Sequence, residues 1–329
     1  MTPSSEQRQR RRRERHAWPP DPEPLPVPVV DNHTHLDSIH HVLGGVVPGG
    51  TWYPEGPDGG ADPVHVPTVA EHLARAAAAG VPRMVTVGCD LDAVAWTDAL
   101  VREHDALVGA VAIHPNEAVL HAGVREVGPD GLEPDPQPRH AVGLDDAVAR
   151  VAEVARANPR IRAIGETGMD LFRTGPAGAL AQRESFRAHL ALAKELDLPV
   201  QIHDRDAHAE VVEVLLADGA PDRTVFHCFS GDAGLARLAA RHGWYLSFAG
   251  PLTFGANDAL RAALAVTPLD RVLVETDAPY LTPHPFRGRP NAPYLLPHTV
   301  RRAAEVQGVG LADFCAAVGR NTAAVYGTW

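Results

Sequence analysis

Eight short apolar runs, separated by helix-prone stretches, constrain this 329-residue chain more than any other feature. The runs are 27–32 (VPVVDN), 83–88 (RMVTVG), 107–113 (LVGAVAI), 161–166 (IRAIGE), 199–204 (PVQIHD), 223–229 (RTVFHCF), 244–249 (WYLSFA) and 272–277 (VLVETD). They lack clean polar–apolar alternation, which suits strands buried on both faces. Residues 68–79, 144–157, 179–197, 206–217, 232–242, 256–265, 296–306 and 311–325 are rich in Ala, Leu and Arg and read as helices. The first of these opens on Thr68-Val69-Ala70-Glu71, a capping-box pattern, and ends before Gly80. Eight strand–helix units predict one α/β fold, a single TIM (β/α)8 barrel over residues 27–329. No GxGxxG follows the first run, which argues against a dinucleotide site.

Composition narrows the function. A 45% hydrophobic and 22% charged chain is an ordinary globular one. No run of apolar residues is long enough to span a membrane, so no membrane association is expected. The three cysteines, Cys89, Cys228 and Cys315, form no CxxC pair. That excludes a disulfide framework and a cysteine-rich zinc site, and with no secretory signal in view it points to the cytoplasm. Residues 1–15 hold six Arg and two Glu; removing that +4 from the formal charge of −11 leaves about −15 on the rest. An acidic body lacks the broad basic surface of a duplex-DNA reader, so a metal or a local basic patch must hold any anionic substrate. Residues 1–26, arginine-rich and then proline-rich, read as a disordered arm. Residues 44–67, with twelve Gly or Pro in 24 positions, and 122–143, with eight in 22, read as irregular loop insertions.

The chemistry gathers at the C-terminal ends of the expected strands, where a barrel builds its active site. The first run leads into Asp31-Asn32-His33-Thr34-His35. Residues two apart on extended backbone face the same way, so His33 and His35 form a two-imidazole arm for one metal ion. Further runs end in Glu166, in His203-Asp204, in His227 and in Glu275-Thr276-Asp277. Four His and two carboxylates exceed the needs of one four-coordinate ion. Two ions sharing a carboxylate, with positions left for water, fit better. Asp277 can orient the attacking water and accept its proton, which makes metal-assisted hydrolysis the expected reaction. Cys228, next to His227, is expected to face away and pack as a small hydrophobe.

The ordered motifs DNHTHLD (31–37), AIHPNEA (112–118), IGETGMD (164–170), QIHDRDAH (201–208), FHCFSG (226–231), VETDAPYLTP (274–283) and RGRPNAP (287–293) resemble those of the TatD-type metal-dependent deoxyribonucleases of the amidohydrolase superfamily. The resemblance implies a two-metal hydrolase barrel using Zn, Mn or Mg. It places His33 and His35 on the first ion with Asp277, Glu166 as the bridge, and His203 and His227 on the second ion, with Asp277 and Glu166 as the catalytic carboxylates. Related enzymes of the wider superfamily often bridge with a modified lysine; here the sole lysine, Lys194, falls within a helix-prone stretch. His114, Arg287 and Arg289 are expected to contact substrate phosphate, and Arg205 and Asp206 to orient ligands from behind. His40, His41 and His65 are expected at the surface.

The leading expectation is therefore a deoxyribonuclease trimming single-stranded DNA from its 3′ end, with no obligate protein partner. Two other functions compete with it. One is hydrolysis of another ester or amide, such as D-aminoacyl-tRNA, on the same metals. The other is a metal-bound nucleic-acid adaptor that uses the arginine arm without catalysis.

Overall fold

A computed structural model describes residues 17–39, 51–52 and 64–329. Residues 1–16 and most of the first insertion, with His40 and His41, lie outside the described residues. Eight parallel strands follow one another around the barrel: β1 (Val30–Thr34), β2 (Arg83–Gly88), β3 (Leu107–Val111), β4 (Ile161–Asp170), β5 (Val200–Arg205), β6 (Thr224–Phe226), β7 (Tyr245–Phe248) and β8 (Val272–Val274). The helices between and after them are α1 (Val69–Ala78), α2 (Leu91–Glu103), α3 (Pro115–His121), α4 (Leu144–Ala157), α5 (Pro176–Glu195), α6 (His208–Asp218), α7 (Ala233–Arg241), α8 (Asp258–Val266), α9 (Leu296–Gln307) and α10 (Leu311–Tyr326). The fold is the expected TIM barrel.

The sequence reading differs from the structure in its details. It assigned no helix to α2, whose start is fixed by the Asp90 carboxylate accepting the N–H groups of Asp92 and Ala93 at 2.9 and 2.8 Å. Strand β4 runs four residues further than expected, to Asp170. Strands β6 and β8 stop earlier, at Phe226 and Val274. His227, Cys228 and Asp277 therefore sit on loop backbone just past their strands, where side-chain alternation no longer applies.

Along each strand one face packs under the helices and the other fills the barrel. Val85, Val87, Val108, Ala110, Ala163, Val225 and Leu273 form the interior layer, together with Tyr245 and with Val325 and Tyr326 of α10. Above them the inward positions turn polar, beginning with Gln201 of β5. Its amide donates to the Tyr326 hydroxyl at 2.8 Å and to the Asn32 carbonyl at 2.9 Å. The seam between β1 and β8 is closed partly by side chains. Asn32 Nδ2 donates to the Val274 carbonyl at 2.8 Å, and buried Asp31 accepts the Thr276 N–H at 2.9 Å. Backbone bonds from Asp277 N to His33 O (3.0 Å) and from His35 N to Ala278 O (2.7 Å) complete it.

Residues 17–26, expected within the disordered arm, lie against the barrel instead. They run parallel to α1, from the loop after β8 to the start of β1, with Trp18 beside His72, Asp21 beside Arg75 and Leu25 beside Ala79. Arg289 donates to the carbonyls of Ala17 and Trp18 at 2.9 and 2.6 Å. The Tyr294 hydroxyl donates to Pro19 O at 2.6 Å, and Leu25 N bonds Ala79 O at 3.1 Å. A proline-rich segment can dock this way because its carbonyls remain free to accept.

The 122–143 insertion is held as firmly. Arg139 forks onto Glu117 at 2.8 and 3.1 Å, and His140 Nε2 donates to the same carboxylate at 2.7 Å. His121 Nδ1 donates to Val142 O at 2.8 Å. His65, at the other insertion, is exposed and bonds Glu71 at 3.1 Å.

His189 of α5 is buried and neutral. Its Nδ1–H donates to Ser185 O at 2.7 Å and its Nε2 accepts the Ile113 N–H at 3.1 Å. Burial pulls its pKa down from 6.5 to about 4, against the opposing pull of the Ser185 carbonyl. The charged form is thus favoured in the unfolded chain. The contribution of neutral His189 is complete above pH 6.5 and is lost as the pH falls towards 4. Between pH 8 and pH 5 this one residue should withdraw roughly 2 kcal/mol of stability. His189→Gln keeps an acceptor for Ile113 and should flatten that part of the melting temperature's pH dependence. An unchanged profile would exclude His189 as its source.

Candidate metal centre at the barrel mouth

The seam places the His33 and His35 imidazoles beside Asp277. Their Nε2 atoms lie 3.1 Å apart, and both face the carboxylates. His35 Nε2 is 3.4 Å from Asp277 Oδ1 and 3.7 Å from Glu166 Oε2; His33 Nε2 is 3.6 Å from the same Glu166 oxygen. On the other side, Glu166 Oε1 lies 2.7 Å from His227 Nε2 and is also in contact with His203 Nδ1. Glu166 thus divides its two oxygens between two pairs of imidazoles. The two glycines of its motif have a steric role: a Cβ at Gly165 would meet Gln201, and one at Gly168 (φ +140) would overlap the His203 carbonyl.

What lies behind each imidazole sets which nitrogen offers a lone pair. His33 Nδ1 faces Gln201 Oε1 at 3.0 Å, His227 Nδ1 faces Glu275 Oε1 at 3.2 Å, and His203 Nε2 faces Asp170 Oδ2 at 3.3 Å. Each of these acceptors takes the proton of the outer nitrogen and leaves the inner one free towards Glu166. His35 has only the weak acceptor Cys89 Sγ at 4.0 Å behind its Nδ1. This is the arrangement by which proteins orient histidines on a metal. Two nitrogens 3.1 Å apart match two ligands each about 2.1 Å from a shared ion. The donor set of four imidazoles and two carboxylates suits a divalent cation.

His114 has the opposite arrangement. As the N-cap of α3, its Nδ1 accepts the Asn116 N–H at 3.1 Å, so its Nε2 carries the proton. That N–H points into the site, 3.5 Å from Glu166 Oε1. His114 is a donor to an anion here, with no lone pair to offer an ion.

The field inside the cluster is strongly coupled. Burial opposes the charge of Glu166, but His227, His114 and His203 hold its carboxyl well below the usual range. Burial also opposes protonation of His35 and His203. The Asp277 and Glu166 carboxylates nonetheless push His35 up to about 10, and Glu166 and Asp170 push His203 up to about 9. A field that draws protons onto imidazoles draws a dication more strongly, since both occupy the same lone pairs.

Several residues fall elsewhere than the sequence suggested. Arg205 is exposed and stacks over the Phe172 ring at 4.1 Å, while Asp206 is exposed with φ +55. Neither side chain bonds an imidazole of the cluster; Gln201, Glu275 and Asp170 hold that position. Arg287 is exposed and lies over Phe254 at 4.0 Å, and Arg289 is engaged by the 17–18 carbonyls. Cys228 is half-buried with φ +41, and its N–H donates to Glu275 Oε1 at 2.6 Å. The sequence reading missed Asp170 and Cys89. The first was within reach, since residues 166, 168 and 170 share one side of an extended strand. Tyr280, 52% exposed, meets the His35 ring edge-on at 5.8 Å.

A protein-family model described as TatD related DNase matches residues 30–327. The chain belongs to the TatD-related DNase family. It is 37% identical over 282 residues to a Mycobacterium tuberculosis protein described as an uncharacterized metal-dependent hydrolase TatD, covering 84% of this chain and 90% of that one. It is 34% identical over 223 residues to a Cronobacter sakazakii protein described as the 3'-5' ssDNA/RNA exonuclease TatD, covering 67% and 75%. The crystal structure of the TatD homologue YJJV from Escherichia coli K12 superposes with a TM-score of 0.71 at 23% identity, over 92% of this chain and 98% of that one. The chain is a metal-dependent hydrolase of the TatD family. Among the described residues, no helix is long and apolar enough to cross a membrane.

If Gln201 and Glu275 orient His33 and His227, then Gln201→Ala and Glu275→Gln should each weaken divalent-ion binding by about 10–100-fold in calorimetric titration. The far-ultraviolet spectrum should stay unchanged. Wild-type affinity in both variants would show that these contacts do not orient the ligands.

Proposed function

We propose that this TatD-family hydrolase cleaves phosphodiester bonds in single-stranded nucleic acid, from the 3′ end, with two divalent ions (Zn, Mn or Mg). The observation that carries the reading is the division of Glu166, whose Oε2 faces His33 and His35 while its Oε1 faces His203 and His227. A carboxylate so placed would bridge two ions. His33, His35 and Asp277 would hold one with it, and His203 and His227 the other. The ions supply Lewis acidity, stabilising charge on the phosphoryl oxygens and acidifying water. The exonuclease description of the Cronobacter relative supports the substrate class.

The chain's own groups supply the rest. The His114 Nε2–H, fixed by the helix cap behind it, donates to a phosphoryl oxygen and sets its orientation. Asp277 accepts the proton of the attacking water. The water oxygen bonds to phosphorus, one phosphorus–oxygen ester bond breaks, and the released sugar oxygen takes a proton from solvent. Tyr280 offers an aromatic face at the rim on which an unpaired base can stack.

The test is digestion of a 5′-labelled single-stranded oligonucleotide with each ion in turn and with chelator. A ladder shortening from the 3′ end is expected only with metal. Asp277→Asn and Glu166→Gln should each slow it by roughly 10²–10⁴-fold. Intact oligonucleotide with every ion, in protein carrying bound metal, would transfer the site to another ester or amide such as D-aminoacyl-tRNA. Tyr280→Ala should raise KM by about ten-fold with little change in kcat; equal KM values would remove the stacking role.

A further inference from the structure

We infer that Arg205 binds the phosphate next to the scissile one, and so fits the site to a nucleic-acid strand rather than to an isolated phosphodiester. The inference deepens the proposed nuclease reading and rests on it for the choice of ligand. The placement of Arg205 rests on contacts within the fold.

Three observations carry it. The first is position. His203 and Arg205 are two apart on β5, which stays extended through Arg205, so both side chains leave the same face of the strand. That face leads from Gln201 in the barrel interior, past the imidazole beside Glu166, to the exposed Arg205 at the mouth. At about 3.3 Å per residue, the Arg205 Cα stands roughly 7 Å beyond that of His203.

The second is the way the guanidinium is held. It lies over the Phe172 ring at 4.1 Å. Phe172 sits on the turn after β4, and the Asp170 carboxylate builds that turn. Asp170 Oδ1 accepts the N–H groups of Phe172 and Arg173, both at 3.2 Å. Its Oδ2 faces His203 Nε2 at 3.3 Å and accepts from Asn116 Nδ2 at 3.1 Å. The Leu171 N–H ties the same turn to Arg205 O at 3.0 Å. One carboxylate therefore sets both the His203 imidazole and the ring beneath the guanidinium, and Arg205 is held in register with the metal centre.

The third is what the guanidinium lacks. Among the described residues, no carboxylate or carbonyl accepts its N–H groups. Other arginines near the rim are engaged: Arg173 lies 3.5 Å from Asp130, Arg139 forks onto Glu117, and Arg289 holds the 17–18 carbonyls. A guanidinium with one face on an aromatic ring still presents its edge of N–H donors, and that edge can fork onto two oxygens of one phosphate. The stack restrains the side chain before a ligand arrives, so less freedom is lost on binding. With a formal charge of −11, the chain as a whole repels a polyanion, and a strand must be held by such local donors.

The test uses a dinucleotide and a trinucleotide without terminal phosphates, which differ by one phosphodiester group. Their kcat/KM values are compared in the metal-loaded wild-type chain and in Arg205→Gln. The wild-type advantage of the trinucleotide should shrink by about ten-fold or more in the variant, through KM. Arg205→Lys, which keeps the charge without the fork, and Phe172→Leu, which removes the ring, should each lose part of it. Divalent-ion affinity in calorimetric titration should be equal in wild type and Arg205→Gln. In anisotropy with a labelled single-stranded 20-mer in chelator, the slope of log affinity against log salt should flatten by about 0.7 in Arg205→Gln, the value for one phosphate contact. A trinucleotide advantage that is absent from the wild type, or that persists in Arg205→Gln, would overturn the inference. So would a fall in ion affinity, which would make Arg205 a support for the imidazoles instead. If the wild-type chain cuts neither oligonucleotide with any ion, the nuclease reading fails and the salt slope alone decides the role of Arg205, an unchanged slope overturning it.

Discussion

The seam between the first and last strands is the constraint on which the rest of the structure depends. Seven ordinary parallel ladders join the eight strands from β1 round to β8 and leave the closure between β1 and β8 to other contacts. At the seam, Asp31 and Asn32 use their side chains to hold Thr276 and Val274, and backbone bonds join His33 to Asp277 and His35 to Ala278. Those contacts bring two imidazoles from one end of the folded chain beside a carboxylate from the other. Asp31 is buried among them, and burial drives its carboxyl up to about 8 even though Thr276 bonds favour its charge. The barrel thus keeps a costly polar group in its wall, and that group aligns the two halves of the centre.

Around that seam the cluster is organised by proton bookkeeping. Four imidazoles find an acceptor behind them and present a lone pair; the fifth, His114, finds a donor behind it and presents a proton. One residue type therefore serves two purposes a few ångströms apart, and the difference lies wholly in which backbone or side-chain group stands behind the ring. Glu166 is the hinge between the two imidazole pairs, and the glycines beside it let β5 approach closely enough for His203 to reach it.

Much of this was legible in the sequence, for reasons that also explain the misses. Apolar runs buried on two faces announce parallel strands, and polar residues at their ends announce the mouth, so His33, His35, Glu166, His203, His227 and Asp277 could be found from local pattern. Helix α2 was missed because its start depends on one capping aspartate ahead of a mixed apolar pattern. The partners behind the imidazoles could not be read, because Gln201 or Glu275 gains meaning only from which strand lies next to it. Arg289 was misplaced for the same reason. An exposed-looking arginine near a phosphate site is a reasonable anion contact until distant carbonyls, those of residues 17 and 18, are seen to occupy it. For Cys228 the premise of alternation does not hold: β6 ends at Phe226, and the residue sits half-buried on loop backbone with φ +41.

Tyr326 closes the bottom of the barrel, and its hydroxyl accepts the hydrogen bond from the Gln201 amide whose carbonyl oxygen faces His33. On a ribosome, His33 is made among the first turns of the fold and Tyr326 among the last. The imidazole that begins the centre therefore waits through almost all of translation for the group that steadies it. A nascent barrel lacking α10 would present an incomplete cage, with the His33 support only half anchored. Synthesis order thus delays a finished metal cage until nearly the whole barrel exists.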